Sequence, residues 1–120
     1  MLITVLKSKI HNARVTMCNV DYEGSLSLDE ELIQQANLRP YEKVLVANVS
    51  NGERFETYII PAPAGSREVG LNGAAARSAV VGDRIIVMAF AMKEPEEEMS
   101  ATVLIMDEQN NVKEVKKLKT

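Results

Sequence analysis

The sequence predicts a mainly β protein with short helices, closed into a small barrel, and three observations carry that prediction. Lys43 to Ile60 holds two strand-like runs, 44–49 and 54–60, either side of Ser50-Asn51-Gly52-Glu53. Asn-Gly between two such runs is the strongest short hairpin signal. Next, Tyr41-Glu42-Lys43-Val44-Leu45-Val46-Ala47 is echoed 41 residues later by Gly82-Asp83-Arg84-Ile85-Ile86-Val87-Met88, and each copy follows a short helical piece. Two related β–α–β halves of this kind close into a small barrel, which also removes exposed sheet edges. Finally, 120 residues, 46% of them hydrophobic and 26% charged, fit one domain with a single modest core.

In chain order, Leu2 to Lys7 reads as a strand with Leu2, Thr4 and Leu6 on one face, and Ala13 to Cys18 as a second strand-like run. A helix follows Ser25. Ser27 is its expected cap, Glu30 completes a capping box and Asp29 adds first-turn negative charge. Leu28, Leu32 and Ala36 share a face, and the helix should stop near Asn37 because Pro40 lies beyond. In the 54–60 run, alternation puts Arg54, Glu56 and Tyr58 on one face and Phe55, Thr57 and Ile59 on the other. Residues 61–66 read as a loop, and Asn72 as the cap of a short helix through the alanines. Gly82-Asp83 turns the chain into a buried strand from Arg84 to Phe90. The acidic stretch 93–98 is a solvated connection, Ala101 to Met106 a strand and Val112 to Val115 another, and the Lys-rich end reads as a frayed tail.

Composition narrows the function. A net charge of −3 gives no basic face for nucleic acid. No apolar run approaches the roughly 18 residues of a membrane span, and Met1 to Lys9 lacks the parts of a signal peptide. With Cys18 the only cysteine, no disulfide forms within the chain, and a cytoplasmic setting is expected. One histidine, His11, and one cysteine make no soft-ligand cluster, so no metal site is expected.

The chemistry centres on Asp21-Tyr22-Glu23-Gly24-Ser25-Leu26. Gly24 leaves its carbonyl unshielded, and Ser25 puts a hydroxyl one residue further on. Attack of that hydroxyl on the Gly24 carbonyl converts amide to ester. Elimination across the Ser25 Cα–Cβ bond then cuts the chain, and hydrolysis leaves a pyruvoyl ketone at the new N-terminus. Such a ketone forms an imine with a substrate amine and withdraws electrons from its α-carbon. A turn between strand and helix explains the same dipeptide without any chemistry, and the matching alternative is an uncleaved small barrel serving as a binding or assembly module. The Gly73, Ala74 and Ala75 amides form a seat for a carboxylate or, equally, a close packing contact. Arg54 and Tyr58 are spaced to hold a carboxylate and deliver a proton, although a solvated face is the usual outcome for such residues.

Together these segments resemble the pyruvoyl-dependent aspartate 1-decarboxylase family. The resemblance lies in Lys9-Ile10-His11, Val15-Thr16, Tyr22-Glu23-Gly24-Ser25, the run from Asn51 to Tyr58, Leu71-Asn72-Gly73-Ala74-Ala75-Ala76-Arg77 and Gly82-Asp83, in the family's order and spacing from near Met1 to about Phe90. It implies a six-stranded double-psi β-barrel, a homotetramer with sites between neighbouring subunits, and room for a maturation factor as a further partner. It also implies cleavage between Gly24 and Ser25 into a β chain, 1–24, and an α chain, 25–120. Ser25 then becomes the covalent pyruvoyl cofactor, and L-aspartate is decarboxylated to β-alanine for pantothenate synthesis. Tyr58 is the implied proton donor. Thr57, Asn72 and the Gly73-Ala74-Ala75 amides contact substrate, Lys9 and Arg54 balance its two carboxylates, and His11 and Tyr22 support the site.

Overall fold

In the computed structural model, which describes residues 1–23 and 25–120, nine strands form one hydrogen-bonded series in the order β2-β6-β3-β5-β4-β7-β1-β8-β9. They are β1 (Ile3–Arg14), β2 (Met17–Asn19), β3 (Leu26–Asp29), β4 (Lys43–Asn48), β5 (Arg54–Ala62), β6 (Val69–Asn72), β7 (Arg84–Lys93), β8 (Ser100–Met106) and β9 (Val112–Lys119). The helical pieces are α1 (Glu30–Gln35) and a 3₁₀ turn, Gly73–Ser78. Only Val15 and Thr16 separate β1 from β2, yet β2 lies at one end of the series and β1 near the other. Two residues reach about 7 Å at full extension, so the sheet must curl round to bring its ends together. Backbone bonds fasten this closure: Thr16 N–H donates to the Val69 carbonyl at 2.8 Å, and Val15 N–H to that of Asp83 at 2.9 Å. The fold is therefore mainly β with short helices, curled into a small barrel. Its count of nine strands exceeds the expected six through the short β2 and the added pair β8 and β9.

The internal echo is structural. Strand β3 pairs antiparallel with β6, and β4 with β7. The turn before β4 also matches the turn before β7, bond for bond. Tyr41 N–H donates to the Ile59 carbonyl and Ile59 N–H to that of Glu42; Gly82 N–H donates to the Val15 carbonyl and Val15 N–H to that of Asp83. The Glu42 carboxylate accepts from Arg39 N–H and the Asp83 carboxylate from Val80 N–H, each at 3.0 Å. Apolar side chains from both halves fill the interior, among them Ile10, Leu26, Leu28, Ile33, Val46, Ile59, Leu71, Ile85 and Leu104.

Several expectations are corrected. The first N-terminal run extends through Arg14 as one long β1, because bulges between Leu6 and Ser8 and between His11 and Ala13 absorb the irregular residues, with Asn12 in a left-handed conformation. The second run is split, Ala13 and Arg14 ending β1 and Met17 and Cys18 opening β2. Leu28 belongs to β3, and α1 is capped by Asp29, not Ser27. The Asp29 carboxylate accepts from Glu31 N–H at 2.8 Å, and also from Gly65 and Arg67 N–H. This tertiary pull on Asp29 outweighs the local capping box. Pro61 and Ala62 extend β5 rather than beginning the loop, through parallel pairing with Leu28 and Asp29. The C-terminal residues through Lys119 are a paired strand, because β8 offers them an edge. Among the described residues, no helix is long and apolar enough to cross a membrane.

Candidate functional site

The site exists because strand pairing stops short. Along Arg54–Tyr58, β5 is bonded to β4 on one edge only among the described residues; its parallel pairing with β3 begins at Leu26 opposite Ile59. Ser25 immediately precedes Leu26, as Tyr58 precedes Ile59, so the serine stands where the open edge begins. On its other side, Leu26 pairs with Leu71, and Asn72 N–H donates to the Ser25 carbonyl at 2.8 Å. The 3₁₀ turn then carries Gly73 to Ser78 across the gap. The result is a cleft of about 550 Å³ into which Ser25, Thr57, Tyr58, Asn72, Gly73 and Ala74 open.

Thr57 and Tyr58 alternate in exposure along β5 as expected, yet both border this cleft. A cavity along an unpaired strand edge meets residues from both faces of the pleat. Ala75 also borders it, as do Phe55, Glu56 and Ser78, which the sequence reading did not single out. Asn72 stands at the N-cap position of the 3₁₀ turn but, against expectation, makes no capping bond with its side chain. The residue is 2% exposed, and among the described residues neither Nδ2 nor Oδ1 has a hydrogen-bond partner. An amide desolvated and left unpaired at the edge of a cleft, one residue from a short turn, is free to bond whatever enters.

The remaining predicted residues lie elsewhere on the single chain. Lys9 and His11 are on β1, facing away from the core that Ile10 enters, and Arg54 is exposed at the start of β5. None of the three borders the Ser25 cleft. Tyr22 borders a neighbouring cleft that shares Asn72. Burial lowers the pKa of His11 below its ordinary value, helped by the positive charges of Lys9, Arg84 and Lys116. The Gly24 half of the cleavage site lies outside the described residues. Among the described residues, no three His, Cys, Asp or Glu side chains gather to hold a metal ion.

The sequence reading also missed a set of bonds that ties the 3₁₀ turn in place. The buried Asn48 amide donates to the Ser78 carbonyl at 3.1 Å and to the Asp83 carboxylate at 2.9 Å, while Asn51 donates to the same Ser78 carbonyl at 3.0 Å. These bonds hold the Asp83 pKa below the usual carboxylate value, the Asn48 amide foremost and Val80 N–H second. The Asn-Gly signal located the hairpin; only the folded chain shows that its asparagines also anchor one wall of the site.

Fold and site define a small β-barrel with a serine-centred, amide-lined cleft, and sequence comparison names the class. The aspartate decarboxylase family model matches residues 1–113. The chain is 91% identical over 119 residues to the aspartate 1-decarboxylase of Coprothermobacter proteolyticus, covering 99% of each protein. It is 53% identical over 112 residues to that of Thermosipho melanesiensis and 55% identical over 115 residues to that of Prosthecochloris aestuarii, covering 93% and 94% of this chain and 94% and 89% of theirs. The chain belongs to the aspartate decarboxylase family and is a carboxy-lyase of that type.

Proposed function

We propose that this enzyme cleaves itself between Gly24 and Ser25 and, with the pyruvoyl group so formed, converts L-aspartate to β-alanine and carbon dioxide. The single observation that carries this reading is the position of Ser25, half-buried in a cleft beside Thr57, Tyr58 and the unpaired amide of Asn72. In processing, the Ser25 Oγ attacks the Gly24 carbonyl carbon and the Ser25 nitrogen leaves it as an amine, giving an ester. Loss of the Ser25 α-proton breaks the Cβ–O bond, freeing the Gly24 carboxylate and leaving a dehydroalanine. Water adds at its α-carbon, and the nitrogen departs as ammonia. The Asn72 amide, lacking a partner among the described residues, is suited to stabilise the oxygen charge that develops during the first attack.

The residues present fit a ketone at position 25. The Ser25 carbonyl is fixed by Asn72 N–H, and the surrounding space is lined by hydroxyls, amides and small side chains. Such a ketone supplies an electron sink for the substrate α-carbon. The chain's own residues then orient and protonate. Fixing the β-carboxylate leaves the α-carboxylate as the group whose bond can align for loss. The Tyr58 hydroxyl gives its proton to the substrate α-carbon once carbon dioxide has left.

Aspartate brings two negative charges to a protein of net charge −3, so cations must be concentrated locally. Lys9 and Arg54, the candidates for this, do not border one chain's cleft. This supports a homotetramer in which neighbouring copies complete each site, and a cytoplasmic pantothenate route is the natural setting for β-alanine supply.

Intact mass measurement tests the reading. The active protein should contain a short piece ending at Gly24 and a longer one blocked at its start, and Ser25→Ala should stay whole and inactive. Tyr58→Phe should still cleave but decarboxylate about 10²-fold or more slowly. Active protein that is continuous from Gly24 to Ser25 overturns the proposal.

A further inference from the structure

Tyr41 has a backbone conformation that its chemistry disfavours. Its φ is +69°, in the left-handed region that crowds a side chain against the backbone. The matching turn in the second half of the barrel shows what such a position ordinarily calls for. There the equivalent residue is Gly82, φ +95°, with the same backbone bonds on either side and the same carboxylate-to-amide anchor. A turn that glycine makes without strain is made in the first half by a tyrosine, so what the ring contacts is the question.

It contacts Tyr58. The two rings stack with centroids 6.3 Å apart and planes 27° from parallel, within the range of attractive offset pairs. Tyr41 is 73% exposed, so burial in the core does not account for the ring, while Tyr58 is 40% exposed at the cleft. The support under Tyr41 is rigid. Its N–H is bonded to the Ile59 carbonyl at 2.7 Å, one residue from Tyr58, and the following Glu42 carboxylate is paired with Lys7 at 3.0 Å. A phenol on an open strand edge has several rotamers available; a flat ring fixed beside it removes some of them.

We infer that Tyr41 is a positioning residue, whose ring, held in a strained turn, aims the Tyr58 hydroxyl into the Ser25 cleft. This rests on the reading of Tyr58 as proton donor, and the experiment separates the two. Four variants of the full chain, Tyr41→Phe, Tyr41→Gly, Tyr58→Phe and Tyr41→Gly/Tyr58→Phe, are confirmed as cleaved by intact mass and assayed with L-aspartate for kcat and KM separately.

Tyr41→Gly relieves the backbone and should fold at least as well, yet lower kcat about five- to tenfold with KM changed by less than about twofold. Tyr41→Phe keeps the ring and should stay within about twofold of the parent kcat. The double variant should be no slower than Tyr58→Phe alone, because an aimed group that has been removed needs no aim. Should Tyr41→Gly prove unstable, Tyr41→Asn, which tolerates the same φ without a ring, replaces it with the same expected loss. A slow Tyr58→Phe beside an unimpaired Tyr41→Gly overturns the inference alone, as does a Tyr41→Phe as slow as Tyr41→Gly. A Tyr58→Phe with parental kcat overturns the proton-donor reading and the inference with it.

Discussion

Asn72→Leu should make the protein more stable and impair it. Asn72 is 2% exposed, and both of its side-chain polar atoms lack partners among the described residues. Leaving a buried polar group unsatisfied costs about 1–3 kcal/mol, whereas an apolar group of the same shape carries no such penalty. Leucine repeats asparagine's branched heavy-atom skeleton, though it is bulkier, and would stand beside Ser25, whose carbonyl accepts from Asn72 N–H. Because the bulk of leucine offsets part of the penalty removed, a gain of about 1–2 kcal/mol is the reasonable figure. For a domain of this length that is a rise of about 3–10 °C in the unfolding midpoint. The comparison should be made in a Ser25→Ala background, so that both chains are whole, at equal protein concentration so that any assembly contributes alike. With Ser25 present, the same substitution should slow cleavage as followed by mass. An Asn72→Leu chain less stable than its parent by more than about 1 kcal/mol would refute the reasoning, since that is the signature of a lost hydrogen bond.

Three further outcomes follow from the geometry. Asp29→Ala removes the acceptor of three backbone N–H groups, from Glu31, Gly65 and Arg67, inside the fold; denaturant unfolding should show a loss of about 3 kcal/mol or more. His11 has a folded pKa below its ordinary 6.5, so the unfolded chain binds its proton first. Its contribution to stability is therefore complete above pH 6.5 and lost as pH falls toward the folded value, and His11→Gln should flatten that part of the stability curve. Asp83 has a folded pKa below 3.8, so its contribution is present above that pH and disappears as pH drops through the folded value. Asp83→Asn should remove this acid limb in pH-dependent thermal unfolding.

Local chemistry was legible wherever it decided the structure locally. Asn51-Gly52 announced the hairpin, and Gly52 is indeed left-handed, with φ +79°. The end of the helix near Asn37 was readable too, because asparagine tolerates the left-handed stop, here φ +59°, that precedes Pro40. The echo between residues 41–47 and 82–88 was visible as a charge-and-aliphatic pattern and proved to be a paired structural repeat. What could not be read depends on distant partners. Ser27 and Asp29 are both competent caps on paper, and the choice of Asp29 is made by the amides of residues 65 and 67. Lys116–Lys119 is exposed and Lys-rich, without a buried face to alternate, and continues the strand begun at Val112 only because β8 lies alongside. Within the site, Ser25, Thr57, Tyr58, Asn72 and residues 73–75 could be listed from the sequence. That they share one cleft follows from where β3 starts to pair with β5, a register that no local signal encodes.

The places where this chain departs from local preference gather around that cleft. Among the described residues, Asn72 is a buried amide without a partner, Tyr41 an aromatic side chain where glycine suits the turn, and the first half of β5 an edge left open ahead of its pairing with β3. Each is unfavourable alone, and each would be corrected by a common substitution: leucine at 72, glycine at 41, an earlier start to β3. In the second half of the barrel, the turn equivalent to Tyr41 does not border the Ser25 cleft and is already corrected, with Gly82 in its place. The same backbone, bonded the same way, thus tolerates the unstrained residue. Strain at one copy and its absence at the other locates the demand at Tyr58 and the cleft, not in the requirements of the fold.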